Sequence, residues 1–257
     1  MNFHALLRVD SARKTSTHYA EVQVELTRMI RSIFYNRNFI LDKKIVMPSS
    51  HKKQLNIYIG SDFGFCGNFN SIMNQMMKQD SESDLIIVGS KMMHPKQNVL
   101  LRCTKETFFD HLKEIEALVF DSIVHLKHSQ INVIYTHYYN VNSLKPIVKT
   151  VFPMTIEKEA SKKYQEDFVV EGDITNILIE LISLYVLYEI KAAEAHSWAA
   201  ENVLREQITR ESLTKIDELE SEKQKAKRKQ VKQENFKKII EDFSHMRQTE
   251  GGAAHDW

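Results

Sequence analysis

Residues Gly60–Asn70 read Gly-Ser-Asp-Phe-Gly-Phe-Cys-Gly-Asn-Phe-Asn. Glycines between an apolar run and a helix-like stretch can let backbone N–H groups cradle a phosphate. The spacing is not that of a dinucleotide fingerprint, and no Gly-Lys-Ser or Gly-Lys-Thr supplies a lysine for a triphosphate. The simpler reading is a tight strand-to-helix turn, with Gly64 and Gly67 at positive φ or close to another backbone. Gly89-Ser90-Lys91, at the end of a second apolar run, offers an anion a cation and a free backbone, and also reads more simply as a turn.

His125 and His128 stand three apart in a helical pattern, and His137 follows in a strand pattern. Two histidines at that spacing can share a metal face, but no cysteine or acid completes the set, so both read as solvated helix side chains. There is no His-Glu-x-x-His, no nucleophile elbow and no recognisable triad. Aspartate and glutamate recur at helical spacing with lysine and arginine, which is a solvated face rather than a paired-carboxylate site. Ser221–Lys238 carries eight Lys or Arg against Glu222 and Glu234. Such a run can bind phosphates without sequence preference, can be an ordinary soluble helix surface, or can meet acidic loops of a partner.

The elements that position these residues are marked by where the helix breakers fall. The chain has 257 residues, 27% charged and 42% hydrophobic, enough for a sizeable core in one or two domains. Lys plus Arg is 35 against 34 Asp plus Glu, a net charge of +1, which argues against a nucleic-acid wrapper or an acidic tail protein. It has only seven Gly and four Pro; none precedes Pro48 and none lies between Asp173 and Glu250. The pattern predicts a long helix at each end and a compact middle. Cys66 and Cys103 are far apart, without a Cys-x-x-Cys, which points to a reducing cytosol rather than a disulfide scaffold or zinc ribbon. The N-terminus lacks an apolar run of secretory length, and Ile174–Ile190 carries Glu180 and Glu189, against a membrane span.

An unbroken helix over the C-terminal run would reach about 117 Å, whereas a compact chain of this length has a radius of gyration of ~18 Å. The run is therefore expected to protrude rather than fold back, with Gln207–Leu213 its weakest stretch. Ile174–Tyr188 is apolar enough to bury more than one face, and Ala192, Ala195, Ala199 and Val203 leave room for a close partner helix. That partner is the N-terminal helix, roughly His4–Arg37, with Val22, Val24, Leu26, Ile30, Ile33 and Phe34 on its apolar stripe; the two pair antiparallel. Between them, strands are expected at Leu55–Ser61, Asp84–Ser90, Val99–Cys103, Ile131–Tyr139 and Val148–Ile156, and helices at Phe69–Lys78 and Lys105–Lys127. This alternation predicts a mainly parallel, Rossmann-like α/β sheet. The expected division is 1–47 for the first shaft helix, 48–170 for the α/β domain, 171–246 for the second shaft helix and 247–257 for a tail.

Taken together, these features resemble the gamma subunit of F-type ATP synthases. Ser61, Asp62, Gly64, Cys66, Gly67 and Asn70 match that family's Ser-Asp-Arg-Gly-Leu-Cys-Gly-Gly-x-Asn turn, and Gly89, Ser90 and Lys91 match its second strand end. Glu201 and Arg205 match a Glu and Arg of its C-terminal helix, while Lys225-Ala226-Lys227 and Val231–Glu234 match later segments loosely. The resemblance covers roughly Thr17–Phe243. It implies a central rotor shaft: a long antiparallel coiled coil of the two terminal helices, plus a Rossmann-like domain. The shaft would turn inside a ring of three alpha-like and three beta-like ATPase subunits, one copy per hexamer, without catalysis of its own. No cofactor is implied here; ATP and Mg would sit on the partners. Acidic partner loops would meet Lys223, Lys225, Lys227, Arg228 and Lys229, and an apolar bearing would receive Phe236, Ile239, Ile240 and Phe243.

The departures imply a divergent paralogue. The family's Lys-Ile-Thr-x-Ala-Met opening is not found, Phe63 stands where an Arg is usual, and the Ile-Thr-x-Glu signature is incomplete. Aligned on His18-Tyr19-Ala20, the chain would begin part-way along the first helix, leaving the upper shaft a single helix. Related subunits serve ATP-hydrolysing motors of wall-less bacteria, including motility machines, so a dedicated hydrolytic motor is expected over a standard synthase. An epsilon-like subunit and a membrane or motility sector, with or without proton transport, are expected partners. The expected location is cytoplasmic, peripheral to the inner face of the cell membrane. Two alternatives stand beside it: a Rossmann-like enzyme with an oligomerisation arm, and a coiled-coil adaptor that binds anionic partners. No specific nucleic acid is expected.

Overall fold

The computed structural model describes residues 3–36, 47–80, 82–156 and 170–251, with side chains between 6 and 242. In chain order the elements are α1 (Phe3–Tyr35), β1 (Gln54–Ile59), α2 (Ser71–Gln79), β2 (Asp84–Val88), β3 (Val99–Cys103), α3 (Leu112–Val124), β4 (Gln130–Asn140), β5 (Ser143–Phe152) and α4 (Ile174–Gly251). Two compact units result, Met1–Ile208 and Thr209–Trp257. In the second, the described side chains of α4 are exposed.

The sheet has the order β3-β2-β1-β4-β5. The first four strands are parallel, with Ile57 opposite both Ile86 and Val133, and β5 runs antiparallel to β4. Alternation along the strands buries both faces. Leu55, Ile57, Ile59, Ile86, Val88, Val133 and Tyr135 meet α3 residues Ile115, Val119 and Ile123 and α4 residues Ile182, Val186 and Ile190. Tyr58, Leu85, Ile87 and Ile134 face the other way, onto Met73 and Met77 of α2.

The fifth strand begins at Ser143, earlier than its apolar residues suggest. The two-residue turn Val141-Asn142, where the Asn142 amide donates to Asn140 Oδ1 at 2.9 Å, closes a hairpin back onto β4. Pro146 is tolerated because β5 is an edge strand whose outer N–H groups have no ladder to join. The helix expected from Lys105 begins only at Leu112; before it the chain runs in turns, with the amides of Lys105 and Glu106 donating to Asp62 Oδ2.

In α1 the buried positions are 9, 12, 16, 26, 30 and 33, and half-buried 19 and 23 continue the same alternating steps of three and four. That is a heptad seam. Val24, assigned above to the stripe, falls outside it and is exposed. Val9 and Ala12 pack on Ala199 and Val203, and the Tyr19 ring meets that of Tyr188 edge-on at 5.8 Å. Position rises along α1 as it falls along α4, so the pair is antiparallel. α4 thus buries two stripes: small residues toward α1, larger ones toward the sheet.

Candidate functional site: the strand-end turn and Glu201

A doubly wound sheet usually receives its ligand outside the carboxyl ends of its strands. Here α4 fills that place. Ser197 Oγ donates to the Ile59 carbonyl at the end of β1 (3.2 Å), and the His196 ring stacks on His137 of β4 with centroids 3.9 Å apart. One helical turn beyond Ser197, Glu201 is fully buried.

The turn after β1 donates to that carboxylate. The amides of Asp62 and Phe63 lie 3.2 and 2.9 Å from Glu201 Oε1, and the Cys66 thiol approaches it at 3.9 Å. Lys105 Nζ, itself buried, closes the other oxygen at 2.8 Å. The ammonium also lies 5.6 Å from the Phe69 ring centroid and 5.9 Å from that of Trp198. The glycine-rich turn does present amides to an anion, but the anion is the chain's own glutamate.

Asp62 is the second knot. Its Oδ1 accepts from the Ser90 amide at 2.7 Å and its Oδ2 from the Lys105 amide at 2.7 Å. Ser90 Oγ returns a bond to the Asp62 carbonyl at 3.0 Å. Asn70 completes the turn: its Oδ1 accepts from the Ser61 amide, and its Nδ2 donates to Ser61 Oγ and the Lys91 carbonyl. Lys91 contributes backbone only, its amide donating to the Ser61 carbonyl at 3.0 Å. The matched residues therefore tie the ends of β1, β2 and β3 to one another and to α4.

Burial and the Glu201 charge push the Cys66 thiol up to about 11, so it is a neutral donor rather than a nucleophile. Gly67 has φ +54° and faces Ile208 Cδ1, and Gly89 has φ +123° against the backbone of Gly60 and Ser61. Gly64 does not fit the expectation: its φ is not positive and nothing lies within 4 Å of where a Cβ would stand. The left-handed residue beside it is Phe65, at φ 59° and largely exposed.

The Arg205 guanidinium, one turn beyond Glu201 along α4, lies over the Phe63 ring at 4.3 Å. Lys223, Lys225, Lys227, Arg228 and Lys229 are exposed in the second unit, as are Phe236, Ile239 and Ile240. The Phe243 side chain, and tail residues 252–257, lie outside the described residues.

Two polar groupings escaped sequence reasoning. Glu194, two turns before Glu201, is 8% exposed with no hydrogen-bond or ion-pair partner among the described residues. Burial pushes its carboxyl up to about 7; Lys105 lowers it, and the charges of Glu201 and Asp62 raise it further. His128 is buried, not solvated: its Nε2 meets Asp84 Oδ2 at 3.1 Å and its Nδ1 meets Ser122 Oγ. This resembles a hydrolase chain, but Ser122 is 2% exposed and out of a substrate's reach, so the row is a clasp between α3 and β2. No signal marks these residues in sequence: Glu194 stands in a helical pattern like any exposed glutamate, and the partners of His128 come from positions 6 and 44 residues away. Among the described residues no group of three or more His, Cys, Asp or Glu could hold a metal.

A mainly parallel sheet whose strand-end crevice is filled by the protein's own helix, itself paired antiparallel with α1, defines an α/β protein with no open ligand crevice at that place among the described residues. The ATP synthase family model matches residues 1–241, and the chain belongs to that family. It is 25% identical over 252 residues to the ATP synthase gamma chain of Mycoplasmopsis pulmonis, covering 89% of this chain and 88% of that one. It is 27% identical over 201 residues to the ATP synthase gamma chain of a Wolbachia from Brugia malayi, covering 70% and 69%. A chain in the solved Euglena gracilis mitochondrial ATP synthase, in an OSCP/F1/c-ring assembly, shares the fold at a TM-score of 0.52 and 13% identity, covering 99% of this chain and 98% of that one.

Proposed function

We propose that this chain is the central rotor shaft of an F-type ATPase, carrying torque between a ring of alpha-like and beta-like subunits and a coupled sector. Support comes from the family match, from the gamma chains among its relatives, and above all from Glu201. A shaft must carry its side domain without slip. A carboxylate buried on α4, holding two amides of the β1 turn and the Lys105 ammonium, gives that attachment direction as well as strength. The chain itself catalyses nothing in this reading; ATP and Mg belong to the ring.

The exposed basic face from Lys223 to Lys229 would slide past acidic loops through screened, readily exchanged contacts. Phe236, Ile239, Ile240 and Phe243 would turn in an apolar bearing. Among the described residues no helix is long and apolar enough to cross a membrane; the assembly would sit against the inner face of the cell membrane through other subunits. The dedicated hydrolytic motor is the finer part of this proposal.

The test is purification through a tag after exposed Lys96, followed by native mass. One copy of this chain with three copies each of two ATPase subunits is the expected result. Co-purifying proton-channel subunits would replace the dedicated motor with a synthase. A free monomer or homodimer would overturn the shaft.

A further inference from the structure

Glu201 is not the only carboxylate that α4 sends to the sheet. Glu189 is 5% exposed, and Lys149 Nζ lies 2.7 and 2.8 Å from its two oxygens. Tyr185 donates its hydroxyl to the same carboxylate at 2.9 Å. Lys149 stands on β5, opposite Val133. Lys105, the partner of Glu201, stands two residues past the end of β3. β3 and β5 are the two edges of the sheet. One helix is therefore fastened to both edges, four strand spacings or about 19 Å apart. On α4 the two carboxylates are twelve residues apart, which places them about 18 Å apart along the axis and about 120° apart around it.

The apolar contacts of the same helix with the sheet, from Ile182, Val186 and Ile190, are non-directional and oppose separation. Hydrogen-bonded ion pairs fix direction. The two carboxylates leave α4 in directions about 120° apart, so a turn of the helix that relaxes one tie strains the other.

We propose that Glu189, held by Lys149 and Tyr185, is a torque anchor that acts with Glu201 to lock the sheet at both edges against turning about α4. It is a positioning residue for work transfer and touches no nucleotide. The inference rests on the shaft reading above.

The test uses the complete ATPase complex with a bead attached through a tag after Lys96, so that torque reaches the bead through the sheet. ATP hydrolysis and stall torque are read together for the wild type, Glu189→Gln, Lys149→Met and Lys149→Arg. Lys149 is half-exposed, so Glu189→Gln leaves its ammonium in contact with water and keeps a folded variant available, whereas Lys149→Met strands the buried Glu189 charge. The expected result is unchanged hydrolysis, a stall torque reduced at least twofold in Glu189→Gln and Lys149→Met, and recovery in Lys149→Arg. A purely structural role would lower melting temperature while leaving stall torque at the wild-type value, and that outcome overturns the anchor. Wild-type complex that hydrolyses ATP without turning the bead overturns the shaft reading, and the anchor with it.

Discussion

Lys105 Nζ stands 2.8 Å from Glu201 Oε2, both side chains are essentially sealed from solvent, and they come from positions 96 residues apart in the chain. A buried pair of this kind adds little when compared with apolar replacements, but removing one member leaves the other charged and unpaired. Lys105→Met should therefore destabilise the chain by about 3–5 kcal/mol. Denaturant unfolding checks this; a loss below about 1 kcal/mol, the range of an exposed pair, would show that water reaches Glu201.

Glu194 predicts a pH dependence. Its carboxyl is raised from the ordinary 4.5 to about 7 in the folded chain. Between those values the folded chain holds a proton that the unfolded chain has released. As far as this residue decides it, stability is then fully present below pH 4.5, falls as pH rises from there to about 7, and levels off above. The contribution lost is on the order of 3 kcal/mol. Glu194→Gln removes this slope, so the difference in unfolding free energy between wild type and variant should change between pH 5 and pH 8. A difference independent of pH would mean that Glu194 is ionised throughout.

The glycines of the turn should respond unequally. Gly67→Val forces a β-branched residue to φ +54° against Ile208 and should cost about 2 kcal/mol or more, whereas Gly64→Ala should be nearly neutral. Phe65→Gly removes a left-handed strain of about 1 kcal/mol and should raise the melting temperature by a few degrees, or leave it level if lost chain entropy cancels the gain. Calorimetry on the three variants reads the order Gly67→Val, then Gly64→Ala, then Phe65→Gly.

The α1–α4 seam leaves no room at Ala199, which is 1% exposed against Val9 and Ala12. Ala199→Leu should cost about 1–3 kcal/mol by overpacking. Lys225→Gln and Lys227→Gln, on exposed side chains, should change stability by no more than about 0.5 kcal/mol. Circular dichroism melts of the three separate a packed seam from a solvated face; equal losses would contradict this division.

Much was legible in the sequence because it depends on local chemistry. The absence of Gly and Pro between Asp173 and Glu250 allowed one continuous helix, and α4 runs Ile174–Gly251. Apolar runs ending in Gly60 and Gly89 marked parallel strands, and Ala199 with Val203 marked a close helix contact. The motif from Ser61 to Asn70 marked the turn between β1 and α2. What that turn holds was decided only by the tertiary structure. Lys105 lies buried beside Glu201, and its amide donates to Asp62, a contact across 43 residues that no local pattern shows. Glu189, Glu194 and Glu201 look alike in sequence, since each is a glutamate in a helix. One is paired by a lysine on an edge strand, one by a lysine past the opposite edge, and one by nothing among the described residues. Helical periodicity assigns a residue to a face, but the charge that meets it arrives from a distant segment, and only the fold brings that segment there.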